Sequence, residues 1–270
     1  MNRKVKNHFS GKTIWITGAS SGIGKSLAHE FSKMNTQLIL SGRNQRSLEK
    51  IKDTCLHNGS SVLTVPFDLS DRNSIVNSAE IVLEKYGSVD LLINNGGISQ
   101  RSFVQNTRLD VDQKIMSVNY FGNIALTKAL LPSMLAQGRG HIAVTTSIAG
   151  KFGFPMRSAY SASKHALYGF YDTLRVELAD QNVTVTMICP GRIQTNISKH
   201  ALNEKGEEHG EMDDGQKNGM PSDEAARKII GALKRKKREV VVGGKELLML
   251  PIKRFMPWLF YHLVRKIKHT

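Results

Sequence analysis

Tyr160 and Lys164 stand four residues apart in a stretch of helical periodicity, so their side chains leave one helix face. A phenol titrates at about 10, and an adjacent ammonium favours the phenolate, which suits a tyrosine to acid–base work near neutral pH. Ser147 follows an apolar strand-like run, at the strand end where α/β sheets present their ligand-binding groups. Its hydroxyl can orient a carbonyl oxygen that Tyr160 protonates. A second constellation lies near the start of the chain: Thr17-Gly18-Ala19-Ser20-Ser21-Gly22-Ile23-Gly24, directly between a strand pattern and a helix pattern. Glycines at such a turn let the backbone approach a pyrophosphate, and the helix N-terminus offers unpaired N–H groups and a positive dipole end. The spacing is G-x-x-x-G-x-G, not the commoner G-x-G-x-x-G. Alone it is also a plain tight turn; its place inside a βαβ unit favours the phosphate reading.

The end of the second strand bears on the cofactor. A carboxylate about 20 residues past the glycines would bond a ribose 2′-hydroxyl. Here the stretch is Ser41-Gly42-Arg43-Asn44, and Arg43 lies 19 residues after Gly24. A guanidinium there pairs with a 2′-phosphate, with Ser20 and Arg46 as candidate helpers, so NADP(H) is expected over NAD(H).

The elements that must hold these groups are legible in the hydropathy pattern. Seven short apolar runs read as strands: Thr13–Thr17, Gln37–Ser41, Ser61–Pro66, Leu91–Asn94, His141–Thr146, Thr184–Cys189 and Val240–Val242. Most are continuous rather than alternating, as strands buried on both faces of a parallel sheet are. Helical patterns lie between them, for example Ile23, Leu27, Phe31 and Met34, or Ile75, Ala79, Val82 and Tyr86. Ser70 and Ser222 precede two of these as N-cap candidates. The expectation is an α/β fold, a Rossmann-type doubly wound parallel seven-stranded sheet in a single domain over 1–246, with a C-terminal amphipathic extension over 247–270. The chain of 270 residues is 40% hydrophobic and 23% charged, which excludes a disordered or fibrous chain. Two cysteines exclude a disulfide framework, and no metal ligands are assigned.

In order along the chain, Thr17–Gly24, Asn94-Asn95-Gly96-Gly97, Ser147, Tyr160-Ser161-Ala162-Ser163-Lys164 and Pro190-Gly191 resemble the short-chain dehydrogenase/reductase family, from about Gly11 to Val242. The T-G-x-x-x-G-x-G and Y-x-x-x-K pair is specific when both motifs fall in these places. Gly96 departs from the alanine more usual there. The resemblance implies that Lys164 also holds a nicotinamide ribose and that Asn119 is a fourth catalytic member in a proton relay. It implies further that a backbone group of Ile193 and the Thr195 hydroxyl hold a carboxamide, after Pro190 and Gly191. Asp68 and Leu69 resemble an adenine-binding pair, although Asp68 reads equally well as a turn acid. Asn95 and Gly96 fall on the adenosine side, and Gly18, Ser20, Ser21, Gly22, Ile23 and Gly24 form the pyrophosphate turn. A homodimer or homotetramer, built on long helices around Asp112–Ala136 and Ser158–Gln181, is also implied. Each catalytic candidate taken alone has a structural reading; four in order after an intact glycine loop favour the site.

Asn196–Met220 is polar and lacks periodicity, and 196–221 is expected to be a substrate lid. The net charge is +15, yet no aromatic residues interleave Lys234-Arg235-Lys236-Lys237-Arg238, so nucleic acid is not expected as a partner. In the tail, Met256, Leu259, Leu263 and Ile267 form an apolar stripe beside Arg265, Lys266 and Lys268. Packing on the body, on a second subunit or over the active site is the stronger reading, and peripheral contact with an anionic membrane the other. Such tails resemble those of the hydroxysteroid-dehydrogenase-like branch and point to a lipophilic substrate. With no spanning run and no signal-like segment, a cytoplasmic location is expected, with peripheral membrane association through the tail the alternative. The expected function is carbonyl–alcohol interconversion on a small molecule. The alternatives are a 3-oxoacyl-carrier-protein-type reductase, whose acidic carrier suits the basic surface, and a non-catalytic NADP(H)-binding sensor.

Overall fold

The computed structural model describes residues 3–266. Seven strands, β1 (Thr13–Thr17), β2 (Gln37–Ser41), β3 (Ser61–Thr64), β4 (Leu91–Asn94), β5 (Gly140–Thr145), β6 (Val183–Pro190) and β7 (Glu239–Val242), form one parallel sheet in the order β3-β2-β1-β4-β5-β6-β7. The helices are α1 (Arg3–Phe9), α2 (Gly22–Ser32), α3 (Gln45–His57), α4 (Arg72–Tyr86), α5 (Leu109–Met116), α6 (Gly122–Ala136), α7 (Ser158–Glu177), α8 (Asp214–Lys217), α9 (Ser222–Lys234), α10 (Met249–Phe255) and α11 (Pro257–Arg265). The single-domain Rossmann-type sheet expected from the pattern is present.

All five residues of β1 are buried, because the pleat sends Ile14 and Ile16 to one face and Trp15 to the other. On the first face, Leu38, Leu40 and Ile93 join residues of α2, α3 and α9; on the second, Ile39, Leu92, Ile142 and Val144 meet α4, α6 and α7. The Trp15 indole N–H, enclosed in that second layer, donates to Ser41 Oγ at 2.8 Å. Continuous apolar strands follow from this double coverage.

Several boundaries differ from expectation. β3 stops at Thr64, since Pro66 has no N–H to give a ladder. The cap of α4 is Asp71, not Ser70: its carboxylate accepts from the N–H groups of Asn73 and Ser74. Ser222 is the first residue of α9, after Pro221, and its hydroxyl accepts from Ser26 instead of capping. The long helix expected from Asp112 starts at Leu109 and carries a wide π turn at Ser117–Phe121.

The tail folds back onto the body. Phe260 is 2% exposed and packs with Ile148, Phe152 and Cys189, supported by Leu250, Ile252 and Val264. The inward face is therefore centred on Phe260 and Val264, one position round from the expected stripe, and Met256 is exposed. Phe260 has the larger surface to bury and meets Phe152 edge to face at 4.8 Å. Ile267 and Lys268 lie outside the described residues.

Candidate active site

The strand order reverses between β1 and β4, and the crevice at their carboxyl ends opens into a cleft of about 450 Å³. One end is lined by Thr17, Gly18, Ser20, Ser21, Gly22 and Ile23; the other by Ser147, Tyr160 and Lys164. Asp68, Leu69, Asn95, Gly96, Pro190, Gly191, Ile193 and Thr195 line it between, and Arg43 is exposed at the rim.

The glycine turn is built for close approach. Gly18 has φ +63°, and a Cβ there would fall 2.8 Å from Gly96 Cα, so the two backbones are nearly in contact. Ser21 is extended before α2 and makes no side-chain cap bond, so the first-turn N–H groups of that helix are left to the cleft. Asn95 ties the turn in place: its amide donates to the Thr17 carbonyl at 3.1 Å, and its carbonyl accepts from Thr145 Oγ1 at 3.3 Å. Thr17 Oγ1 accepts from the N–H groups of Asn95 and Gly96 at 3.0 and 2.9 Å. The departure at Gly96 has a local cause, since a Cβ there would meet Leu69 Cδ1 at 2.5 Å.

Gly24 and Asn119 sit behind the lining of the cleft. Gly24 is buried, and a Cβ there would press on Asn95 Nδ2 at 2.6 Å; it lets α2 pack against the turn. Asn119 is fully buried in the π turn, where the extra residue swings its amide onto the Ile98 backbone: Oδ1 accepts from Ile98 N at 2.8 Å and Nδ2 donates to Ile98 O at 2.9 Å. Arg46 is exposed on α3, outside the lining. Asp68 accepts from the backbone N–H and hydroxyl of Ser70 at 2.8 and 2.7 Å, so it serves as a turn acid while facing the cleft.

Tyr160 is half-buried at the base of α7, and burial pushes its hydroxyl above the ordinary phenol range, opposed by a hydrogen bond with Ser147 and then by the charges of Arg157 and Arg101. Lys164 Nζ, the ammonium expected to favour the phenolate, lies 5.8 Å from the centre of the Tyr160 ring. It donates to the Thr145 carbonyl at 2.8 Å, and burial pulls it down to about 8. Ser147 Oγ accepts from Ala149 N at 3.1 Å, which fixes its position after β5.

Sequence reasoning missed the cations around Tyr160. Arg101 and Arg157 both meet Asp213, a residue of the 196–221 segment. They come from separate loops with no shared spacing, so no pattern in the sequence signals them. Gln100 was missed too: its Oε1 accepts from Ala159 N at 2.9 Å and Tyr160 N at 3.4 Å, closing the first turn of α7.

A sequence profile described as short chain dehydrogenase matches residues 12–206. The Dehydrogenase/reductase SDR family protein 7-like of Drosophila melanogaster is 42% identical over 269 residues, covering 98% of this chain and 82% of that protein. The Dehydrogenase/reductase SDR family member 7B of Rattus norvegicus is 40% identical over 268 residues, with 97% and 82% covered. A short chain dehydrogenase/reductase from Burkholderia phymatum, solved in complex with NAD, shares the fold with a TM-score of 0.83 at 24% identity, covering 93% of this chain and 96% of that one. An alcohol dehydrogenase from Thermococcus sibiricus, complexed with 5-hydroxy-NADP, gives a TM-score of 0.76 at 26% identity, with 87% and 97% covered.

Proposed function

The chain belongs to the short chain dehydrogenase family, and we propose that it interconverts a carbonyl and a secondary alcohol using NADP(H), with Tyr160 as the acid–base group. The observation that carries this is the convergence of Ser147, Tyr160 and Lys164 on one end of a cleft whose other end is the Gly18–Gly24 turn. The fit to a dinucleotide is good: the glycine cradle leaves no room for side chains, and α2 points its N-terminus inward. Arg43 at the rim, with no acid in Ser41–Asn44, supports a 2′-phosphate. A bound nicotinamide would supply or accept the hydride.

The chain's own residues manage the proton. Because the Tyr160 phenol is held protonated by burial, its hydroxyl donates to the substrate oxygen as charge develops there. Ser147, fixed by Ala149 N, offers a second hydrogen bond to that oxygen. Lys164 titrates near the working pH and stands one turn beyond Tyr160, suited to restoring its proton and to holding a ribose. Asn119 keeps the Ile98 backbone against that corner. Ile193 and Thr195 line the cleft, which supports their holding the carboxamide of the cofactor.

The exposed Leu248, Phe255, Trp258 and Tyr261 of the tail, beside Arg254, Arg265 and Lys266, support a lipophilic substrate and peripheral contact with an anionic membrane. No helix among the described residues is long and apolar enough to cross a membrane. Exposed Leu109 and Phe121 beside α5 and α6, and Val176 on α7, support a homo-oligomer through those helices.

The test is titration with NADPH and NADH by nicotinamide fluorescence, then turnover on lipophilic ketones and a β-ketoacyl carrier protein at low and high salt. NADPH-dependent ketone reduction that disappears in Tyr160→Phe, with cofactor affinity retained, is the expected result. Full activity in Tyr160→Phe refutes the acid–base assignment. Turnover of the carrier-bound ester alone, suppressed by salt, assigns the acidic-carrier substrate instead.

A further inference from the structure

The helix that carries Tyr160 has no cap of its own. Tyr160 is the third residue of α7, so its N–H, like those of Ser158 and Ala159, has no partner within the helix. Arg157, the residue before the helix, makes no side-chain cap bond. The chain enters through Met156 at φ +61°, a left-handed conformation that an L side chain rarely adopts. Such a first turn frays unless a group from outside the helix closes it. Gln100 closes it from the loop after β4, 60 positions away from Tyr160. Its Oε1 accepts from Ala159 N at 2.9 Å and from Tyr160 N at 3.4 Å. Its Nε2 lies 3.3 Å from Ser158 Oγ, 3.2 Å from Ser102 Oγ and 3.1 Å from Thr107 Oγ1. The side chain is fully buried, with its acceptor and its donors both engaged. From the same loop, Ser102 N donates to Met156 O at 3.2 Å, which holds the left-handed entry as well.

We propose that Gln100 is a positioning residue for catalysis: it fixes the first turn of α7 so that the Tyr160 hydroxyl stays within reach of the substrate oxygen. The inference rests on Tyr160 being the acid–base group. The loop that bears Gln100 is itself braced. Leu202 N donates to Ser99 O at 2.9 Å and Arg101 N to Leu202 O at 2.8 Å, so Gln100 is held by a short parallel pairing with segment 196–221. Leu202 packs with Ile98, Val111, Ile115 and Ala159, the last being a residue whose N–H Gln100 takes. The segment thus supports the loop, and the loop supports the turn that carries the phenol. Proton transfer needs donor and acceptor within hydrogen-bond reach, and a displacement of about 1 Å costs about 100-fold in rate. Without the Gln100 amide, two buried N–H groups are left unpaired, and the turn that must hold still is the one that yields. Gln100 lies outside the lining of the cleft, so it acts through Tyr160 and not on the ligands.

The test separates positioning from folding. Rates are taken per NADPH-binding site, on the ketone that the wild type reduces fastest. Gln100→Met keeps the length of the side chain and removes its polar bonds. It is expected to lower kcat about tenfold, with the Kd for NADPH and the KM for the ketone within about twofold of wild type. Gln100→Glu keeps an acceptor for Ala159 N and Tyr160 N, the three hydroxyls can turn to donate to it, and a carboxylate suits a helix N-terminus. It is expected to hold kcat within about threefold of wild type. Without substrate, amide exchange at Ala159 and Tyr160 should quicken about tenfold in Gln100→Met and not in Gln100→Glu. Wild-type kcat or unchanged exchange in Gln100→Met, whatever its melting temperature, overturns the proposal. So does a Gln100→Glu variant as slow as Gln100→Met. If Gln100→Met does not fold, Gln100→Asn decides, because its amide is one methylene too short to reach both N–H groups: a loss of about tenfold in kcat supports the proposal and an unchanged kcat refutes it. Failure of the acid–base assignment would show separately, as turnover surviving in Tyr160→Phe.

Discussion

Arg101 and Asp213 are 112 positions apart in the chain and are joined by a buried two-pronged ion pair, Nε to Oδ1 at 3.0 Å with Nη2 on Oδ2. Removing one partner would leave a buried charge unpaired, which typically costs about 3–5 kcal/mol. A polar, non-periodic stretch is thereby held in one place, where its residues become part of the cleft wall.

Arg43 is the cofactor prediction. Arg43→Asp is expected to weaken NADPH by about 100-fold and NADH by less than about threefold, since a carboxylate repels the 2′-phosphate while it can bond a 2′-hydroxyl. Fluorescence titration of both nucleotides measures this. An equal loss for both would place the 2′ group elsewhere.

His141 should make stability depend on acid. It is buried on β5 with Nε2 2.8 Å from Thr186 Oγ1, and burial, aided by Lys236 and Lys12, depresses it to about 3. The folded state keeps the imidazole neutral, while the unfolded chain takes up a proton below about 6.5. Stability is therefore full above that value and falls as pH drops toward about 3, by about 1.4 kcal/mol per unit. Urea melts at pH 7 and 5 should differ by about 2 kcal/mol from this group, on the same slope. His141→Gln should remove that part of the difference.

The tail's two faces should separate by mutation. Phe260→Ala opens a cavity against Phe152 and should cost about 3 kcal/mol by thermal or urea unfolding. Trp258→Ser, at a side chain 73% exposed, should leave stability within about 0.5 kcal/mol. It should nevertheless reduce co-sedimentation with phosphatidylserine vesicles. If neither wild type nor Trp258→Ser sediments with vesicles, the membrane contact is wrong.

Phe121, the last residue of the π turn, is 57% exposed. Phe121→Asp is expected to convert a dimer or tetramer to smaller species in light scattering, with the far-ultraviolet dichroism unchanged. An unchanged mass would move the interface off these helices.

Much of the candidate site was legible because its groups sit at fixed offsets from local structure. The glycine turn lies where β1 hands over to α2, Tyr160 and Lys164 share a face through helical spacing, and Arg43 follows β2 by sequence adjacency. Burial on two faces made the five inner strands visible as apolar runs, while the edge strands β3 and β7 are only partly buried. The depth of Gly24 and Asn119, both buried behind the cleft lining, was not legible, because spacing gives order along the chain and not depth. Nothing in the period of 109–136 reveals the π turn that rotates Asn119 onto Ile98.

By itself, then, the sequence determined the sheet, its strand boundaries to within about two residues, and the chemistry available at the strand ends. Tertiary structure alone decided which charges meet. The Arg101–Asp213–Arg157 contacts bridge 56 and 112 positions, and their partners become neighbours only when β4 and β6 are brought into one sheet with β5 between them. It also decided the face on which the tail seats, because Phe260 finds its pocket in Ile148, Phe152 and Cys189, residues remote in the chain. Local periodicity encodes contacts that repeat every two or four residues; a single long-range ion pair has no period to encode it.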